Sequence, residues 1–488
     1  MKIIYQLILF SAIFSLFHCL NEKSEEGNIM LLMQGSKLEI NLEGKKLGNK
    51  NYYTIPLKVG TPPKTFNVQI DTSTSTSWLP LINCKNCDSC TKFYDPLESK
   101  TSSVISQQKI ELDDEDGNVE GYPINDNVVL NGYNLQNFSF VQVTKFDKEF
   151  RDHFDGKLGL GYRDQHGKNF NFLDRLKKQN LITKKIFSIN QMSEQKGLLF
   201  IGDNSANKYT FCNVSSGEDL DDIYKESWVC ELTHVGIFNT KEGISNVLSN
   251  YTHISDGKVD FDSAYEYIAV PVSDRKIIEE LLEKANLVCE TDEDIEKKYQ
   301  ELSKGKKDEL INKYNDEEIN IKCKTTKEEL KQKELCLSFI LQGNVYSIPL
   351  ETLFSPTEEK DKMEMKIKYI DDDDAIWTFG FPFMSQFLMV FNMEENHVGI
   401  KSIKKTSLPI VNITKQWEAW NEHTNNFFYK KIDITLIIII SSILFITLII
   451  IVVCLVFRAF RKSELRKSIE MQRELNNINA EENKEQVY

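Results

Sequence analysis

A chain of 488 residues has room for two domains of ordinary size. Its formal net charge of −14 excludes a nucleic-acid partner, which would need a basic face. The histidines are scattered without an HExxH pair, and no GxSxG elbow occurs, so neither zincin nor serine-hydrolase chemistry fits.

In chain order, residues 1–20 carry one early lysine, Lys2, and then an uncharged apolar run, the outline of a secretory signal peptide. The stretch "VQIDTSTSTSWLP" follows at 68–80, an aspartate, Asp71, behind a short apolar run and ahead of a row of hydroxyls that ends in Trp78 and Pro80. Next come Cys84, Cys87 and Cys90. Their CxxC spacing would suit zinc, but no second ligand pair recurs, and a disulfide-stapled loop is the better reading in an oxidising compartment. With Cys212, Cys230, Cys289, Cys323 and Cys336 they make eight ectodomain cysteines. The expectation is four bridges, one closing the Cys84–Cys90 region and one joining Cys289 to Cys323 or Cys336; the other pairings stay open. N-glycosylation sequons stand at Asn137, Asn213, Asn250 and Asn412.

Further along, "KVDFDSAYEYIAVP" at 258–271 repeats the plan of the first aspartate stretch. Asp262 takes the place of Asp71, Ser263 that of Thr72, and a proline closes each stretch nine residues after its aspartate. Each copy is followed by an apolar pair and a glycine beside aromatics, "FDGKLGLGY" at 154–162 and "WTFGFPF" at 377–383. Asp71 to Gly159 is 88 residues and Asp262 to Gly380 is 118; a Lys/Glu-dense segment at about 290–334 accounts for the surplus and reads as a solvated helical insertion. The run Asp371 to Asp374 lacks the ligand spacing of a calcium loop and reads as an exposed acidic loop. Residues 434–457 are 24 in a row without a charge, enough to cross a hydrocarbon core of roughly 30 Å. Arg458, Arg461, Lys462, Arg466 and Lys467 follow at once, which places the tail 458–488 in the cytosol and everything before the span in the lumen or outside.

Two related halves, each presenting one aspartate, suggest a shared-proton pair. Like charges about 3 Å apart cannot both ionise readily, so such a pair can activate a water with one carboxylate and protonate a peptide carbonyl with the other. No metal and no cofactor is needed. Which carboxylate is acid and which base is not settled by sequence.

From about Asn51 to Ile403 the chain resembles the pepsin-like aspartic proteases. "NYYTIPLKVGTPPKTFNVQIDTSTSTSWLP" is similar to that family's entry strand, Gly-Thr-Pro-Pro turn and first Asp-Thr-Gly motif, and "FDGKLGLGY", "GLLFIGD" and "FNMEENHVGI" match later segments in order. The resemblance implies a mainly-β, bilobal fold: a removable propeptide at 21–48, an N-terminal lobe at 49–215 and a C-terminal lobe at 216–405. A stalk at 406–433 then leads to the membrane helix. It implies Asp71 and Asp262 as the catalytic pair, with Thr72 and Ser263 tying the two loops together. Thr74 holds the position whose hydroxyl bonds the outer oxygen of the first aspartate. The chain departs from the pattern at Ser73 and Ala264, which replace glycines, at Tyr265, and at the flap. There "LDDEDGNVEG" places Asp114, near Gly117, where the family has a tyrosine, so Trp78 loses that tyrosine as a partner. The expected activity is acid endopeptidase cleavage of polypeptides by a monomeric ectodomain on an endolysosomal, vacuolar or cell-surface membrane. The alternative is a catalytically silent relative that binds peptides or serves as a surface glycoprotein.

Overall fold

The computed structural model describes residues 38–412 apart from 48–49, 113–117, 149, 151–153, 165–169, 203–208, 216–219, 221–223, 240–250, 255–256, 290–320, 371–374 and 404–409. The signal peptide, Asp114 and Gly117 of the flap, Asn250, the acidic run at 371–374, most of the charged insertion, most of the stalk, the span at 434–457 and the tail lie outside the described residues, as does the side chain of Asn412. Among the described residues no helix is long and apolar enough to cross a membrane.

Alternating polarity makes the strands. Along Leu38–Leu47, Leu38, Ile40 and Leu42 are buried while Glu39, Asn41 and Glu43 are exposed, the period of two that a half-buried strand requires. This strand pairs antiparallel with Lys196–Ile201 on one side and Lys50–Val59 on the other. It is therefore an interior strand of the largest sheet, although it falls within the segment that the resemblance marks as removable. That sheet has 14 strands. The first half of the chain supplies all of them except Phe387–Asn392 and His397–Ser402, which return from the far end to join it. The second half otherwise forms two five-stranded sheets and one of four strands. The mainly-β expectation agrees with this.

The internal echo in the sequence is an echo in topology. Lys64–Asp71 runs parallel to Lys157–Gly159, which is also met antiparallel by Trp78–Lys85. In the second half Lys258–Phe261 runs parallel to Trp377–Phe379, which is met antiparallel by Ile268–Pro271. Each aspartate thus sits where one strand ends, with the same two neighbours. Of the charged insertion, the described end contains the strand Lys322–Lys324 and a short helix, Lys327–Gln332, opened by a reciprocal cap between Thr326 and Glu329.

Among the described residues three disulfides are present, Cys84–Cys87, Cys212–Cys230 and Cys289–Cys323, against the four expected. Cys90 lies buried in the same cluster as Cys84 and Cys87. Cys336 is a thiol, buried in a central strand whose register partner is Pro349. Burial first, and the charge of Glu351 second, push that thiol up to about 12, so it packs as a small apolar group. Asn137 and Asn213 are both exposed.

Candidate active site

The two aspartate loops are locked by three reciprocal hydrogen bonds. Thr72 Oγ1 donates to the carbonyl of Phe261 at 2.6 Å and accepts from the N–H of Ser263 at 2.9 Å. Ser263 Oγ donates back to the carbonyl of Ile70 at 3.0 Å. Each bond joins residues about 190 positions apart in sequence, and all of the groups are buried. Close approach also requires the two glycines singled out in the sequence. A Cβ on Gly159 would lie 2.5 Å from the Ser75 backbone, and one on Gly380 would lie 2.2 Å from the Tyr265 carbonyl. The glycines lost at Ser73 and Ala264 cost no such strain, because neither position is among the left-handed residues of the described chain.

Asp71 and Asp262 are both nearly inaccessible, and their charges interact. Asp71 Oδ1 accepts from the Ser73 N–H at 2.8 Å and from Ser73 Oγ at 2.6 Å. The serine that replaced glycine therefore supplies a hydroxyl to the carboxylate. Asp262 Oδ1 accepts from the Ala264 N–H at 2.7 Å, and the backbone of Tyr265 also supports it. Burial, and then the charge of Asp71, push Asp262 up to about 7, against the smaller opposing pull of these N–H groups and of Lys157.

Thr74 does not take the place that the resemblance gives it. Its hydroxyl donates to Glu226 Oε2 at 2.7 Å, and the Ser75 N–H donates to the same oxygen at 2.8 Å. Ser227 Oγ adds a bond to the Ser73 carbonyl at 2.8 Å. Both bonds to this buried carboxylate are charge-assisted, which makes them strong. The outer oxygen of Asp71 is instead met by Lys157 Nζ at 3.2 Å, with only 2% and 3% of the two side chains exposed. Trp78 is fully buried, with its ring packed against those of Phe146, Phe150 and Phe154.

Lys157, Asp260, Glu226 and Ser227 were not singled out from sequence. A lysine inside "GKLGLG" and an acid two positions before Asp262 were the available signals, since residues two apart share a strand face. Asp260 is buried beside the pair, and desolvation followed by the charge of Asp262 raises it well above the ordinary carboxylate range.

A family model described as eukaryotic aspartyl protease matches residues 52–403. Among similar curated proteins, cathepsin E of Aquarana catesbeiana is 33% identical over 138 residues, covering 27% of this chain and 34% of that protein. Human cathepsin D is 27% identical over 239 residues, covering 43% of this chain and 57% of that protein. Plasmepsin IV of Plasmodium falciparum is 33% identical over 137 residues, covering 27% of this chain and 30% of that protein. The chain thus matches about a third to just over half the length of these relatives. With both aspartates at equivalent strand ends, interlocked across the halves of the molecule and spanned by the family match, the chain belongs to the eukaryotic aspartyl protease family.

Proposed function

We propose that this protein is an aspartic endopeptidase that hydrolyses polypeptides at acidic pH. The observation that carries the reading is the pair of buried aspartates held at one place by the Thr72–Ser263 interlock, with unlike surroundings. A water between them attacks the peptide carbonyl carbon and gives a proton to one carboxylate, while the other donates its proton to the carbonyl oxygen. The resulting gem-diol collapses as the first carboxylate passes its proton to the amine nitrogen, the C–N bond breaks, and the second recovers a proton from a diol hydroxyl. Every proton is returned, so the pair turns over without a cofactor.

The reading includes a lumenal or extracellular catalytic region anchored by the apolar segment 434–457, in an endolysosomal, vacuolar or cell-surface membrane. It also includes a zymogen whose cut lies ahead of Leu38, since the burial of Leu38, Ile40 and Leu42 in the main sheet argues against removing that strand. The test is peptide cleavage between pH 3 and 8 by the membrane-anchored chain after removal of the segment ahead of Leu38. Wild type should cleave in the acid range, and D71N and D262N should each lose activity by several orders of magnitude, because the pair acts as a unit. Full activity in D262N would remove the pair from the mechanism.

A second reading has its own observation. The Lys157 ammonium, buried against Asp71, is the kind of group that would quiet a shared-proton pair and leave a peptide-binding cleft. Binding of a statine-containing peptide with no cleavage of any substrate at any pH would favour it.

A further inference from the structure

The two halves repeat each other in backbone but not in charge. Gln69 and Asp71 share one face of their strand, and Lys157 is the register partner of Gln69. In the second half Asp260 and Asp262 share the equivalent face, and the register partner of Asp260 is Thr378. The first half therefore sets a cation beside its aspartate, where the second sets a hydroxyl, and the second adds a carboxyl where the first has an amide. All six side chains are buried.

We infer that Lys157 is a positioning residue that fixes the roles within the pair, holding Asp71 as the proton acceptor and leaving Asp262 as the proton donor. Three donor contacts converge on Asp71: Ser73 N–H and Ser73 Oγ on one oxygen and Lys157 Nζ on the other. Among the described residues Asp262 accepts from the backbone N–H groups of Ala264 and Tyr265 and forms no ion pair, feeling Lys157 only at longer range. Thr74, three residues after Asp71, gives its hydroxyl to Glu226, and the outer oxygen of Asp71 takes its contact from the Lys157 ammonium. The charged groups that Lys157 meets are Asp71 on the adjoining strand and Asp262 from the second half. Asp155, just before its own strand, is turned to the Asn67 N–H and the Thr91 hydroxyl. The ammonium favours the ionised form of both members of the pair, more strongly for the one it touches. In the hydrolytic step Asp71 takes the water proton while Lys157 keeps its own, and Asp262 gives its proton to the carbonyl oxygen.

This deepens the endopeptidase reading, and one of its measurements does not depend on turnover. For the anchored chain in detergent, freed of the segment ahead of Leu38, rates and the affinity of a statine-containing peptide are followed from pH 3 to 9. Removing the cation makes the pair as a unit hold its proton to higher pH, so in K157M the rate profile should move upward by about a unit or more. The alkaline loss of inhibitor affinity, set in wild type by Asp262 near pH 7, should move with it. K157Q keeps a neutral donor without the charge, and carries the same expectation where K157M fails to fold. K157R, which keeps the charge, should keep the wild-type limbs. Limbs unmoved in K157M or K157Q reduce Lys157 to packing and overturn the inference. So does activity that appears only when the lysine is removed, because Lys157 would then block the pair instead of dividing its roles. A wild type that cleaves nothing defeats the endopeptidase reading, while a displaced inhibitor profile in K157M would still uphold the effect of Lys157 on the pair.

Discussion

Asp262 holds its proton to about pH 7, first because water is excluded from it and second because a negative charge there would face that of Asp71. A carboxyl raised in the folded state contributes stability that is complete below its unfolded value, near 4, and is lost as pH rises toward 7. At about 1.4 kcal/mol per pH unit of displacement, the difference between the ends of that window is up to roughly 4 kcal/mol. Thermal unfolding should therefore occur at a lower temperature at pH 8 than at pH 5, and D262N should flatten that dependence. An equally steep dependence in D262N would place the titrating group elsewhere. Sequence made Asp71 and Asp262 legible through their matched motifs. Lys157 was in plain view, yet its letter alone does not say that it points at Asp71 and not at solvent.

The elements that matter are two loops, each at the end of a strand, and their coupling runs through Thr72. Thr72→Val is nearly isosteric but removes both the donor to the Phe261 carbonyl and the acceptor for the Ser263 N–H. Leaving these buried groups unpaired should cost about 1–3 kcal/mol for each. Ser263→Ala removes one bond, to the Ile70 carbonyl, and should cost less. Urea unfolding followed by tryptophan fluorescence reads both, since Trp228 and Trp377 are fully buried. A Thr72→Val protein as stable as wild type would mean that the interlock holds nothing together. The hydroxyl residues announced this tie from sequence through the resemblance, whereas the Glu226 and Ser227 clamp on the first loop was invisible. It joins residues about 150 positions apart without a recurring motif.

For the whole molecule, the proposed orientation follows from charge around the apolar segment 434–457. With five basic residues just after it, the tail should remain cytosolic and the catalytic region should be enclosed. Protease added outside sealed microsomes should then trim only the last thirty or so residues, leaving a protected fragment whose mass falls on glycosidase treatment. Digestion of most of the chain would reverse the orientation.

The two echoed aspartate stretches determined the pairing of Asp71 with Asp262, and the resemblance to the aspartic proteases carried by these and the neighbouring motifs implied the mainly-β class and the expected peptide substrate. These rest on local pattern and spacing, which survive in one dimension. Tertiary structure alone decided that Leu38–Leu47 belongs to the central sheet, that Cys336 stays a thiol and that Thr74 turns to Glu226. It alone also decided that a lysine reaches Asp71. Each of those outcomes depends on which distant group lies within about 3 Å of a buried polar atom, where an unmet charge or donor is too costly to leave alone. That competition is settled only once the chain has closed on itself.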